Sequence, residues 1–173
     1  MIGEAEVSKV LRLKGIFASE SWTSQAIAYL RNQGPVGVSA EAVAEKVFAL
    51  YLQSDIYDSC DYGQGGRNAS PGLLPGNLSS KHKVNLAQDQ AIVLQIDEIT
   101  NIGSSLDQQG QEANRYLKLF LTDGVNFVVG LEHKRVNDLR LNIPAGTKVC
   151  IKNVPIRRGA LMLSPSCFKV LGG

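Results

Sequence analysis

Only 6% of the 173 residues are aromatic. Proteins that hold unpaired bases by stacking need exposed aromatic faces, so this scarcity weighs against a strong single-strand reader. No apolar run approaches the roughly 20 residues that cross a bilayer as a helix, and no membrane partner is expected. The only histidines, His82 and His133, fall on different predicted elements. Together with Cys60, Cys150 and Cys167 they form no Cys-x-x-Cys or His-x-x-x-His spacing, which removes the common zinc patterns. There is no Gly-x-Ser-x-Gly elbow. The Gly-Gln-Gly-Gly run at 63–66 lacks the Lys-Ser or Lys-Thr that completes a phosphate loop. Asp97 and Glu98 are adjacent, and strand neighbours point to opposite faces, so they make a poor acid–base pair. These absences predict a non-catalytic protein with no cofactor.

What is present is ordinary for a protein with a buried core: 44% apolar and 20% charged residues. An odd, scattered set of three cysteines predicts free thiols in a reducing compartment. The acidic start, Met1-Ile-Gly-Glu-Ala-Glu, is unlike a signal peptide, so an intracellular protein is expected. The formal net charge of +2 is uneven: residues 130–173 carry +6 and the first 129 carry −4. A basic end suits nucleic acid or an acidic protein, and equally a solvated surface.

The chain is organised around Tyr116 to Leu131. Leu117, Leu119 and Leu121 point one way and Tyr116, Lys118 and Phe120 the other, a period of two. Thr122-Asp123-Gly124 then interrupts the run as a hairpin signal, with Asp123 a turn residue, and Val125, Phe127 and Val129 resume the alternation.

Upstream, residues 4–14 read as a helix ended by Gly15. Ser19 or Ser21 caps a second, with Trp22, Ala26, Tyr29 and Leu30 on its apolar face. Ser39 caps a third, with a stripe of Val43, Val47, Leu50 and Tyr51. A Gly- and Pro-rich connector follows, in which Leu73-Leu74-Pro75 is apolar enough to dock. Gln90 to Ile102 is the first barrel strand, with a bend after Ile96. Residues 103–114 form a polar, Gln-rich loop longer than a strand connection needs, either functional or a tolerated insertion. His133 to Leu139 reads as a turn of helix, Thr147 to Val154 and Ala160 to Leu163 as strands, and Cys167 to Leu171 as a final extended piece. The expected architecture is α+β: a small three-helix bundle (1–60), a connector (61–85), and a five-stranded OB-fold barrel (86–173) with a long loop between its first two strands.

Six short motifs occur in one order: Val10-Leu-Arg-Leu-Lys-Gly15, Leu73-Leu-Pro75, Val93-Leu-Gln-Ile96, Leu121-Thr-Asp-Gly124, Pro144-Ala-Gly-Thr-Lys148 and Val170-Leu-Gly-Gly173. In this the chain resembles the amino-terminal helical-plus-OB region of Tudor domain-containing protein three, whose layout RecQ-mediated genome instability protein one shares. The resemblance implies a scaffold, cytoplasmic and nuclear, that grips a type IA topoisomerase, topoisomerase III beta for the Tudor branch. The long loop would reach the enzyme's strand-passage gate and tune DNA and RNA topology. Nucleic acid would then be met through the topoisomerase. The ubiquitin-associated and Tudor domains that the resemblance implies have no counterpart in these 173 residues.

Candidate apolar anchors are Ile102, Leu106, Val136 and Leu139, with Asp107, Glu112 and Arg115 as rim contacts and Ser104, Ser105 and Gln111 as further loop contacts. A direct nucleic-acid binder is the alternative. It would place Lys118, Phe120, Asn126 and Val128 on an exposed face and Lys148, Lys152, Arg157 and Arg158 along phosphates.

Overall fold

A computed structural model describes residues 3–34, 39–60, 72–76, 78–81, 84–103 and 114–173. Helices come first: α1 (Glu4–Leu13), α2 (Glu20–Gln33), α3 (Ala40–Gln53) and the four-residue α4 (Ile56–Ser59). The two expected caps form, the Ser19 hydroxyl accepting from the Trp22 N–H at 2.9 Å and that of Ser39 from the Ala42 N–H at 3.2 Å. Each satisfies an amide that has no partner within its own helix.

Val7, Leu11, Ile27, Val47 and Tyr51 meet in the centre of the bundle. Of the stripe expected on α2, Trp22, Ala26 and Leu30 pack on the bundle core, joined by Thr23 and Ile27, and only Tyr29 departs from it by facing solvent. The short α4 was not anticipated. Its start is marked by Asp55, whose carboxylate accepts from the Tyr57 N–H at 3.1 Å.

A curled, eight-stranded sheet follows, in the order β1-β6-β7-β4-β3-β2-β5-β8. The strands are β1 (Val84–Leu86), β2 (Ile92–Asn101), β3 (Leu117–Thr122), β4 (Phe127–Glu132), β5 (Lys148–Ile151), β6 (Val154–Arg157), β7 (Ala160–Leu163) and β8 (Phe168–Gly172). β4 and β7 run parallel, and every other neighbouring pair is antiparallel. β2 pairs with β5 through its first half and with β3 through its second. The change of partner falls at Gln95, and the register with β3 slips just beyond it, between Ile96 and Glu98, so the expected bend is a β-bulge. Leu94, Ile96, Leu119, Leu121, Val149 and Ile151 fill the inside of the curl.

The expectation of five strands is corrected to eight among the described residues, for three reasons. The Thr147–Val154 strand breaks at Lys152-Asn153, where Asn153 takes φ 49°, and becomes β5 and β6. Val84 and Asn85, read as connector, form with Leu86 a strand that pairs along β6. Cys167–Leu171, read as a final extended piece and not counted among the five strands, is strand β8 paired with β5. The helical turn expected over His133–Leu139 is a bend instead. The Leu139 N–H bonds back to Val136 O at 3.1 Å, while that of Val136 turns to the Glu132 carboxylate at 2.9 Å.

Helices and sheet meet along β2. Gly15, at φ 83°, offers its carbonyl to the Val93 N–H at 3.0 Å, and Val93 joins the helical core. A Cβ at position 15 would lie 2.5 Å from Ala91 O, so only glycine permits this approach. The buried Gln95 accepts from the Ile56 N–H at 3.0 Å and donates to Asp55 at 3.1 Å and Asp97 at 3.3 Å. β2 is therefore covered on both faces over its first half, which a one-sided reading of Ile92, Leu94 and Ile96 does not show.

Leu74 of the connector is buried in the barrel core. Asp123 holds it there. One carboxylate oxygen accepts from the Leu73 and Leu74 N–H groups at 2.7 and 2.6 Å, and the other from Val125 and Asn126 at 2.9 and 2.7 Å. The Asn126 side chain donates to Leu74 O at 3.0 Å. Asp123 closes the β3–β4 turn, as read, and also ties the connector to it.

Candidate partner interface at the β2–β3 stem

Ser104, Ser105, Leu106, Asp107, Gln111 and Glu112 lie outside the described residues. The stem that carries their segment is described. Asn101, at the end of β2, is completely buried, and its side-chain oxygen accepts from the Gly103 N–H at 3.1 Å and the Tyr116 N–H at 2.9 Å. The Ile102 N–H bonds to Tyr116 O at 2.9 Å. Gly103 backs so closely onto the Asn114 carbonyl that a Cβ would overlap it. The chain leaves and re-enters the sheet through one clamped point. Ile102 and Tyr116 stand opposite each other there, 49% and 37% exposed. Two large apolar side chains left in solvent at a rigid stem are what an anchor for a partner requires.

The other expected contacts divide. Val136 and Leu139 belong to the barrel core, which corrects their reading as surface anchors: the bend at 133–139 folds both under the sheet. Arg115 is corrected too, since it is no rim residue. Its guanidinium forms a bidentate pair with Glu132, one bond from Nε at 2.8 Å and one from an Nη, with both side chains below a tenth exposed. It also donates to Val136 O at 3.2 Å and Leu139 O at 2.7 Å. Arg115 and Glu132 thus staple the 133–139 bend onto the stem.

Of the expected phosphate contacts, Lys148 is corrected outright. It is 1% exposed, and its ammonium donates to Ser54 O at 2.6 Å and Gly146 O at 2.8 Å near the Tyr51 ring. It joins the end of α3 to β5 and is unavailable to a ligand. Burial holds its pKa below the usual lysine value, partly offset by Asp55. In the window between that lowered folded-state value and 10.5 the unfolded chain binds more protons, so stability rises with pH there. The slope from this one group is at most about 1.4 kcal/mol per pH unit. Urea titrations from pH 8 to 10.5 should show a steeper rise for the wild type than for Lys148→Met. Equal slopes would mean that burial of Lys148 does not perturb its proton.

Val128 is also buried, because its side chain opposes Leu121 inside the curl, so its reading as an exposed contact is corrected. Asn126 is half-buried and committed to Leu74. Lys118 and Phe120 do sit on the outer face, the ammonium 4.7 Å from the ring centroid. Tyr116 and Phe127 share that side, so it holds more aromatics than the one expected. Lys152, Arg157 and Arg158 are exposed on the β5–β6 turn, at the end of β6 and on the β6–β7 turn.

The three cysteines form no disulfide, and burial raises the Cys150 thiol above its usual value. No group of three metal-ligating side chains occurs among the described residues, and no described helix is long and apolar enough to cross a membrane. Asn101, Tyr116 and Glu132 carry the site's geometry, and none of the three is among the contact residues expected from the sequence. An Asn-x-Gly step where a strand meets a long polar loop was the one available signal for Asn101.

A curled, mostly antiparallel sheet with helices docked against β2 and β5 is an α+β architecture that fits an OB-fold module. Residues 107–173 match the family described as RMI1, N-terminal OB-fold domain. The chain is 36% identical over 174 aligned residues to RecQ-mediated genome instability protein 1 of Arabidopsis thaliana, covering 98% of this chain and 26% of that protein. The Oryza sativa protein of the same name is 34% identical, over 97% of this chain and 20% of its own length. Tudor domain-containing protein 3 of Danio rerio is 37% identical over 103 residues, covering 58% of this chain and 14% of that protein. The helical-plus-OB region is thus related to both proteins, and the chain spans about a quarter or less of their lengths.

Proposed function

We propose that this chain is a non-catalytic scaffold module that binds a type IA topoisomerase and tunes its strand-passage gate. Topoisomerase III beta is the member that the Tudor likeness implies. The observation that carries the reading is the clamped stem: a fixed exit point, flanked by exposed Ile102 and Tyr116, from which a long polar segment leaves the sheet. A segment held at its base meets a partner at lower entropic cost than one hung from a loose loop. Ile102 and Tyr116 supply affinity at the base, and residues 104–113 act on the gate.

Titration calorimetry against topoisomerase III beta tests this, with the chain intact, with 104–113 replaced by a short Gly-Ser link, and with Ile102→Ser/Tyr116→Ser. Binding should survive the link with altered strand passage, and weaken at least tenfold in the double variant. Failure of the intact chain to bind topoisomerase III beta overturns the assignment to that enzyme. Binding by the intact chain that the double variant leaves unchanged overturns the role of the stem.

A further inference from the structure

A second open surface begins two residues from Tyr116, at Lys118, and runs across β3, β4 and the β6–β7 turn. It is a groove of about 560 Å³. Val129, Leu131, Leu78 and Ala160 line it with aliphatic groups, and Phe127, 57% exposed, forms one wall. Lys118 and Arg158 border it, and among the described residues no carboxylate lines it. The nearest acidic side chains on these strands are turned inward, Asp123 to backbone amides and Glu132 to Arg115.

Arg158 has an unusual backbone. It occupies the first position of a two-residue turn between the paired Arg157 and Ala160, at φ 50°, ahead of Gly159 at φ 78°. Such turns favour Asn, Asp or Gly. An arginine held in this conformation, with no ion-pair partner among the described residues, is a strained choice that a ligand contact would explain.

We infer that this groove takes an extended segment of a partner protein carrying an apolar side chain flanked by carboxylates. The apolar side chain packs on Val129, Leu131 and Phe127, and the carboxylates pair with Lys118 and Arg158. Charge complementarity decides the sign of the partner. The aliphatic lining decides its kind. A run of stacked bases needs several free aromatic faces, and the groove offers one, Phe127, since the nearby Phe120 ring is covered by the Lys118 ammonium. A row of phosphates would need more cations than the two that border the groove, and Lys148 is buried elsewhere.

The test is display of random twelve-residue peptides on the intact chain, followed by fluorescence polarisation of the enriched peptides and of a labelled dT12 oligonucleotide. Enrichment of apolar residues next to Asp or Glu is expected. Lys118→Glu/Arg158→Glu should weaken those peptides at least tenfold, and Phe127→Ala by about tenfold, with topoisomerase binding unchanged. Arg158→Asn should also weaken the peptides while leaving the thermal midpoint unchanged or raised, because asparagine relieves the turn. No acidic–apolar enrichment, enriched peptides indifferent to the double reversal, or dT12 bound more tightly than any peptide would each overturn the inference.

Discussion

Replacing Asp123 with alanine should destabilise the protein by about 4 kcal/mol, a large part of the roughly 5–15 kcal/mol that holds a domain together. The carboxylate accepts four backbone N–H groups, two from the β3–β4 turn and two from the connector at Leu73 and Leu74. Each bond to a charged acceptor contributes about 1.5–3 kcal/mol, and the four are not additive because all fail together. Loss of the acceptor leaves buried amides without partners, and Leu74 loses the anchor that keeps it in the barrel core. Asp123→Asn should fall between, since one oxygen remains while the new amide group faces donors. Urea denaturation gives the magnitude, and limited proteolysis around residues 72–76 gives the location. A loss below about 1 kcal/mol for the alanine variant, or unchanged cleavage, would show that the connector does not depend on Asp123.

The same residue shows how far the sequence could be read. Asp-Gly between two apolar runs identified the turn, since that signal is local. The second role of Asp123 depends on where a distant Leu73-Leu74 returns in space, and no local pattern encodes that. Period two placed Leu117, Leu119 and Leu121 inside, and serine caps placed the starts of α2 and α3, because both effects act over a few residues. Arg115, Lys148, Val136 and Leu139 were misplaced for one shared reason. Charged residues, and apolar residues in polar stretches, read as exposed unless a partner is known, and Arg115 meets Glu132 from 17 positions away and Lys148 meets Ser54 from 94. The stem was legible as a long loop, but its clamp was not, since Asn101 becomes a clamp only once Tyr116 lies opposite Ile102.

Arg115→Ala should cost about 3–5 kcal/mol, the usual consequence of leaving one half of a buried ion pair. The Glu132 carboxylate would keep the Val136 N–H as a partner but lose its guanidinium, and the Val136 and Leu139 carbonyls would lose their donor. The bend at 133–139 would loosen and pull Leu139 from the core. Arg115→Met/Glu132→Met should cost far less than either single variant, because no charge is then stranded and methionines can fill the space. A coupling energy of about 2 kcal/mol or more from this cycle, by chemical denaturation, identifies the pair as a structural staple. Near-additive losses would mean that Arg115 acts alone. The comparison also separates fold from interface. If the double methionine variant is stable and still binds the topoisomerase, Arg115 touches no partner. If it is stable and binding falls tenfold, the guanidinium is part of the docking surface despite its burial, and the stem must open on binding to expose it.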